Sequence, residues 1–165
     1  MRALVEQTAG EAPGWISRLQ GIFVQVGQPL PTVHILMGGA ISEDWRLHPD
    51  QAAIVVGTLD MLLSRVLMRG YGMSRFGSPI DFARPHTDAL WVFDEVQLMG
   101  AGLATSAQIE AFRRRRGWRY ERSAKSLWVS ATLQPEWLAT VDFRCEIPGP
   151  RTLHWMTGTH PSRGD

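Results

Sequence analysis

Two acids and two hydroxyls stand at the ends of two short apolar runs, and their types suit work on a phosphate or an attacking water. Asp94-Glu95-Val96-Gln97 follows Ala89-Leu90-Trp91-Val92-Phe93, and Ser130-Ala131-Thr132 follows Ser126-Leu127-Trp128-Val129. Adjacent carboxylates repel one another, so a site that keeps both gives them a metal ion or a water to hold. The hydroxyls would add neutral donors on the same rim. The plainer reading makes Asp-Glu a solvated strand end or a helix cap, and Ser-Ala-Thr a common turn.

For these groups to meet, the runs before them must lie side by side. Short apolar runs read as buried parallel strands. In sheets of that kind chemistry sits at the carboxyl ends. Two more strands are predicted, at 32–37 before Gly38-Gly39 and at 52–56 before Gly57-Thr58. Helices are predicted at 59–68 and 106–116, with a weaker one at 9–20, because Pro13 and Gly14 suit the beginning of a helix but not its middle. Thr105 and Gln108 have capping-box spacing. Arg113 to Arg116 suit the negative end of that helix, as a solvated helix end, and Gly117 stops it. Residues 70–85 hold five Gly or Pro and read as a loop. Strand alternating with helix predicts an α/β fold around a parallel sheet. One domain is expected over 1–147, with a linker or disordered tail at 148–165.

Composition narrows the classes. The chain has 165 residues, 44% of them apolar, which suffices for a core. No apolar run reaches membrane-spanning length, and Glu6 interrupts any leader-like start. The single Cys145 makes no internal disulfide or cysteine-rich zinc site. A net charge of +1 gives no global attraction to nucleic acid. The five histidines lack metal-binding spacing. Trp91, Trp128 and His34 fall in predicted strands and read as core.

With these elements placed, the chain resembles the first RecA-like lobe of a superfamily 2 helicase. More narrowly, it is similar to the helicase–nuclease of type I CRISPR interference. The residues that carry the resemblance are Met1-Arg2-Ala3-Leu4-Val5-Glu6-Gln7-Thr8, Gly57-Thr58-Leu59-Asp60, Asp94-Glu95-Val96-Gln97-Leu98-Met99-Gly100 and Ser130-Ala131-Thr132-Leu133. Gly102 to Gln108 strengthens the narrower likeness. The fold implied is a partial RecA-like parallel sheet flanked by helices. The resemblance implies ATP and Mg as cofactors. Asp94 would reach Mg through water, and Glu95 would orient or activate the attacking water. Gln97 would link the nucleotide site to Ser130, Ala131 and Thr132, which would couple ATP state to lobe closure. Arg2, Gln7 and Thr8, with Gly38, Gly39, Thr58 and Asp60, would track single-stranded DNA. Thr58 and Asp60 also suit a helix cap.

One departure matters. A phosphate-binding loop needs Gly-x-x-x-x-Gly-Lys-Ser/Thr, and the only lysine stands in Ala124-Lys125-Ser126. Arg119 occupies the first glycine position and Ala124 the second, so this stretch is a decoy. The phosphate-loop strand, a second RecA-like lobe and a nuclease domain are expected to belong to the rest of a larger helicase. They would be partners of this chain, beside a CRISPR surveillance complex, in a prokaryotic cytoplasm and away from membranes. The rival readings are a repair or restriction helicase of the same superfamily, and a non-enzymatic strand-binding or partner-binding lobe. A lost strand in a parallel sheet would leave backbone groups and apolar faces open.

Overall fold

The computed structural model describes residues 2–38, 40–41, 44–69, 75–115, 122–132 and 134–144. The predicted tail, Gly39 and Arg116 lie outside these residues. Helix α1 (Arg2–Gln25) leads to β1 (Thr32–Met37), the short β2 (Ala40–Ile41) and β3 (Ala53–Gly57). Helices α2 (Leu59–Val66) and α3 (Ser78–His86) follow, then β4 (Leu90–Phe93), α4 (Ala101–Arg114) and β5 (Lys125–Trp128). Single 3-10 turns cover Asp44–Arg46, Val96–Leu98 and Pro135–Leu138.

The chain is α/β, and its long strands pair in parallel. Among the described residues they form two sheets rather than one, ordered β2-β1-β3 and β4-β5. β1 pairs β3 with Leu36 opposite Gly57, and β4 pairs β5 with Phe93 opposite Trp128. Gly57 is required at that first junction, because a Cβ there would sit 2.5 Å from the Leu36 carbonyl oxygen.

Two helix expectations and one loop expectation need correction. α1 runs through Pro13, far beyond 9–20. Val5, Ala9, Ala12 and Ile16 recur on one buried face, and that packing outweighs an interior proline costing about 3 kcal/mol. Residues 78–86 form α3 rather than loop. Pro79 falls in the first turn, where its missing N–H costs nothing. Asp81, fully buried, anchors the helix by meeting Arg46 at 2.9 Å and Arg65 at 3.1 Å. Helix α4 starts at Ala101, so Thr105 is no cap. Its hydroxyl donates to the Ala101 carbonyl at 3.1 Å, and Gly100 with φ 53° turns the chain into the helix instead.

The core covers one face of β4–β5. Leu63 and Val66 of α2, Leu103 and Ala107 of α4, and Leu138 and Phe143 close over Phe93, with Trp91 and Trp128 beside it. The two indole N–H groups are satisfied, Trp91 by the Pro85 carbonyl at 2.8 Å and Trp128 by the Ser106 hydroxyl at 2.9 Å. The opposite face is open: Leu90, Val92 and Leu127 are 66%, 57% and 40% exposed. Parallel sheets ordinarily bury both faces, so this side is uncovered apolar surface.

Arg113 is buried rather than a solvated helix end. Its Nε donates to His86 Nδ1 at 3.1 Å, its Nη1 to Ser126 Oγ at 3.3 Å and its Nη2 to the Pro85 carbonyl at 3.2 Å. Burial lowers its pKa to about 10, with Glu110 opposing the fall. His86 accepts that bond at Nδ1, so its proton sits on Nε2, facing the Val66 carbonyl at 3.3 Å. Burial lowers the His86 pKa, and Arg113 pushes it further down against the Val66 carbonyl.

Two outcomes follow from this packing. Phe93→Ala should cost about 3–5 kcal/mol in urea unfolding, whereas Val92→Ala on the open face should cost under about 0.5 kcal/mol; equal costs would refute the one-sided core. Because the folded imidazole is the poorer base, the native state binds fewer protons than the unfolded chain. Its contribution to stability is therefore intact above the ordinary histidine value of 6.5 and is lost as pH falls below it. Unfolding of the His86→Gln variant followed between pH 7.5 and 5 should show a shallower acid slope than the parent chain.

Candidate functional site

The β4–β5 ladder extends beyond its strands and builds the site. Val129 N–H donates to the Phe93 carbonyl at 2.8 Å, and Val96 N–H donates back to the Val129 carbonyl at 3.2 Å. Asp94 and Glu95 therefore leave β4 level with Ser130 as it leaves β5. Glu95 holds a left-handed backbone, φ 50° and ψ 48°, which costs a residue with a Cβ about 1–2 kcal/mol. That kink starts the 3-10 turn Val96–Leu98 and swings Gln97 back toward β5.

A chain of hydrogen bonds joins the two strand ends. Ser130 Oγ donates to Gln97 Oε1 at 2.6 Å, and Gln97 Nε2 donates to Glu95 Oε2. Ser130 Oγ also accepts the Thr132 N–H at 3.2 Å. Asp94 Oδ1 accepts the Glu95 N–H at 2.9 Å. The structure thus brings Asp94, Glu95, Gln97, Ser130 and Thr132 into one connected unit, with Ala131 exposed between the hydroxyl residues. Gln97 fits the link because its amide accepts at one end and donates at the other.

Asp94 and Glu95 are both exposed and carry no ion pair among the described residues. One oxygen of each carboxylate is taken, which leaves Asp94 Oδ2 and Glu95 Oε1 for a ligand. No group of three or more metal-binding side chains occurs among the described residues. A lone carboxylate on a solvated rim still fits Mg, which keeps most of its waters and takes one or two protein carboxylates.

The predicted strand-tracking residues fall into two sets. Gly38 and Thr58 share a rim, because β1 and β3 are parallel with Leu36 beside Gly57 and the Thr58 N–H donates to the Leu36 carbonyl at 3.2 Å. Thr58 occupies the N-cap of α2 without a side-chain capping bond, so its hydroxyl remains for another partner. Asp60 is exposed in the first turn of that helix. Arg2 and Gln7 instead spend their side chains along α1, on Glu6 at 3.4 Å and Glu11 at 3.3 Å, and Thr8 is half-buried. The buried role of Arg113 and the anchor at Asp81 went unrecognised in the sequence. The one available signal was the Glu110–Arg113 spacing, which also suits surface pairing.

Comparison of the chain with family models, curated proteins and solved structures finds no match. No helix among the described residues is long and apolar enough to cross a membrane.

Ser130→Ala removes both the donor to Gln97 and the acceptor of the Thr132 amide. Hydrogen exchange at Thr132 should accelerate about tenfold, while the strand amides of Val92 and Leu127 keep their rates. Unchanged exchange at Thr132 would show that the connection does not hold in solution.

Proposed function

We propose that this chain is part of the first RecA-like lobe of an ATP-driven superfamily 2 DNA helicase, with the CRISPR-associated helicase of type I interference as parent. The observation that supports it is the Gln97–Ser130 bond, which ties the acidic strand end to the hydroxyl strand end. A motor needs such a link, so that a change at the nucleotide is felt at a second element. Asp94 would hold Mg through water, and bound Mg would offset phosphate charge. Glu95, fixed by Gln97, keeps an oxygen facing solvent where an attacking water would be oriented. Thr58 and Gly38 on the neighbouring sheet rim would take the phosphates of single-stranded DNA.

The chain holds no Gly-x-x-x-x-Gly-Lys-Ser/Thr run. The amides and lysine of that loop each give charge-assisted contacts worth roughly 1.5–3 kcal/mol. They would have to come from the remainder of the helicase, along with a second RecA-like lobe. A repair or restriction helicase of the same superfamily would use the same site. The open face at Leu90, Val92 and Leu127 favours a second reading, in which the lobe is a partner-binding or strand-binding module.

Purified chain should bind a single-stranded oligonucleotide with affinity that falls as salt rises, and Thr58→Val should weaken it. It should show no DNA-stimulated ATP hydrolysis. Absence of binding at low salt would remove the strand-tracking face. A stimulated ATPase that vanishes in Glu95→Gln would overturn the dependence on a missing loop.

A further inference from the structure

A second polar assembly sits at the opposite end of β4–β5 from Asp94 and Glu95. β5 starts at Lys125 and runs toward Ser130, so residues 123–126 mark the amino end of the strand. There a cavity of about 360 Å³ is lined by Glu110, Arg113, Arg114, Ser123, Lys125 and Ser126. Its centre is built rather than loose. Buried Glu110 accepts from Ser126 Oγ at 2.9 Å and from Arg114 Nε at 2.9 Å, with Arg113 Nη1 at 3.8 Å.

The charges do not cancel. Among the described residues of the wall, three cations (Arg113, Arg114 and Lys125) face one carboxylate (Glu110), which leaves two positive charges. Donors are left over as well. Arg113 directs one bond from each of its three nitrogens, so two of its five N–H groups are unused. Arg114 donates only from Nε, and the Lys125 ammonium, unlike its main-chain N–H, makes no hydrogen bond among the described residues. The Ser123 hydroxyl adds a neutral donor at the rim.

We propose that this cavity binds a phosphate dianion, either inorganic phosphate or the phosphate of a small monoester. A monoester carries close to two negative charges at neutral pH, which matches the residual charge. A phosphodiester carries one and would leave the cavity positive. Guanidinium forks match phosphate oxygens geometrically. The volume lies in the range of small-molecule sites, about 300–1,000 Å³, and leaves room for the group esterified to the phosphate. This site is separate from the nucleotide site proposed above and does not depend on it.

Lys125 is the only lysine of the chain, which makes the test direct. The full chain is acylated with an amine-reactive reagent at constant ionic strength, and peptide mapping reads Lys125 against the terminal amine. Inorganic phosphate and glucose 6-phosphate should slow acylation of Lys125 saturably and leave the terminal amine unchanged. In Arg114→Gln, a substitution at a side chain 61% exposed, half-protection should need about tenfold more phosphate. Circular dichroism would check that this variant is folded. No protection, equal protection by chloride, or protection only by an oligonucleotide without a terminal phosphate would each overturn the assignment.

Discussion

The parallel register that sets Phe93 beside Trp128 is the constraint on which the candidate site rests. A slip of one residue would turn Trp91 and Phe93 off the core and send Leu90 and Val92 into it. It would also separate Gln97 from Ser130, since both follow directly from the ladder that Val129 and Val96 extend. Packing and chemistry are therefore specified by the same pairing. The stacked rings of Trp91, Phe93 and Trp128, with centroids 5.5 and 6.0 Å apart, hold that register from the core side.

The two ends of β4–β5 use polarity differently. At the carboxyl end the carboxylates are exposed and partly uncommitted. At the amino end Arg113 is buried and distributes its donors to α3 and β5, through His86, Pro85 and Ser126. Lysine could not replace it, because one ammonium cannot point along three directions fixed by a planar fork. The carboxyl end can thus accept a ligand at little structural cost, while the amino end fixes how the helices sit on the strands.

Strand positions were legible because short apolar runs ended by Gly, Asp-Glu or Ser leave little choice. The predicted strand at 32–37 coincides with β1, and the other three differ by a residue at the ends. Helix boundaries were less legible. Pro79 and Pro85 suggested a loop at α3, where tertiary anchoring by Asp81 decides the matter. Thr105 and Gln108 have the spacing of a cap, yet Gln108 reaches Asp142 and Thr140, contacts that only the folded chain creates. The grouping of Gln97 with Ser130 was legible only through family resemblance, since no local spacing relates residues thirty-three apart. The division into two sheets left no mark in the sequence, because a strand edge reads the same whether or not a neighbour pairs with it.

That division has a kinetic side. β1 and β3 pair residues 21 apart, Thr32 with Ala53, and β4 and β5 pair residues 35 apart, Leu90 with Lys125. Neither pairing waits for the other, and each closes a loop short enough for a modest entropic cost. Each half can therefore form as soon as its own segment is available, in the order of synthesis. Helix α2, which borders both β1 and α4, is the piece that both halves then share. Assembly of the chain is in this respect modular in time, even though the long strands of each sheet pair in parallel.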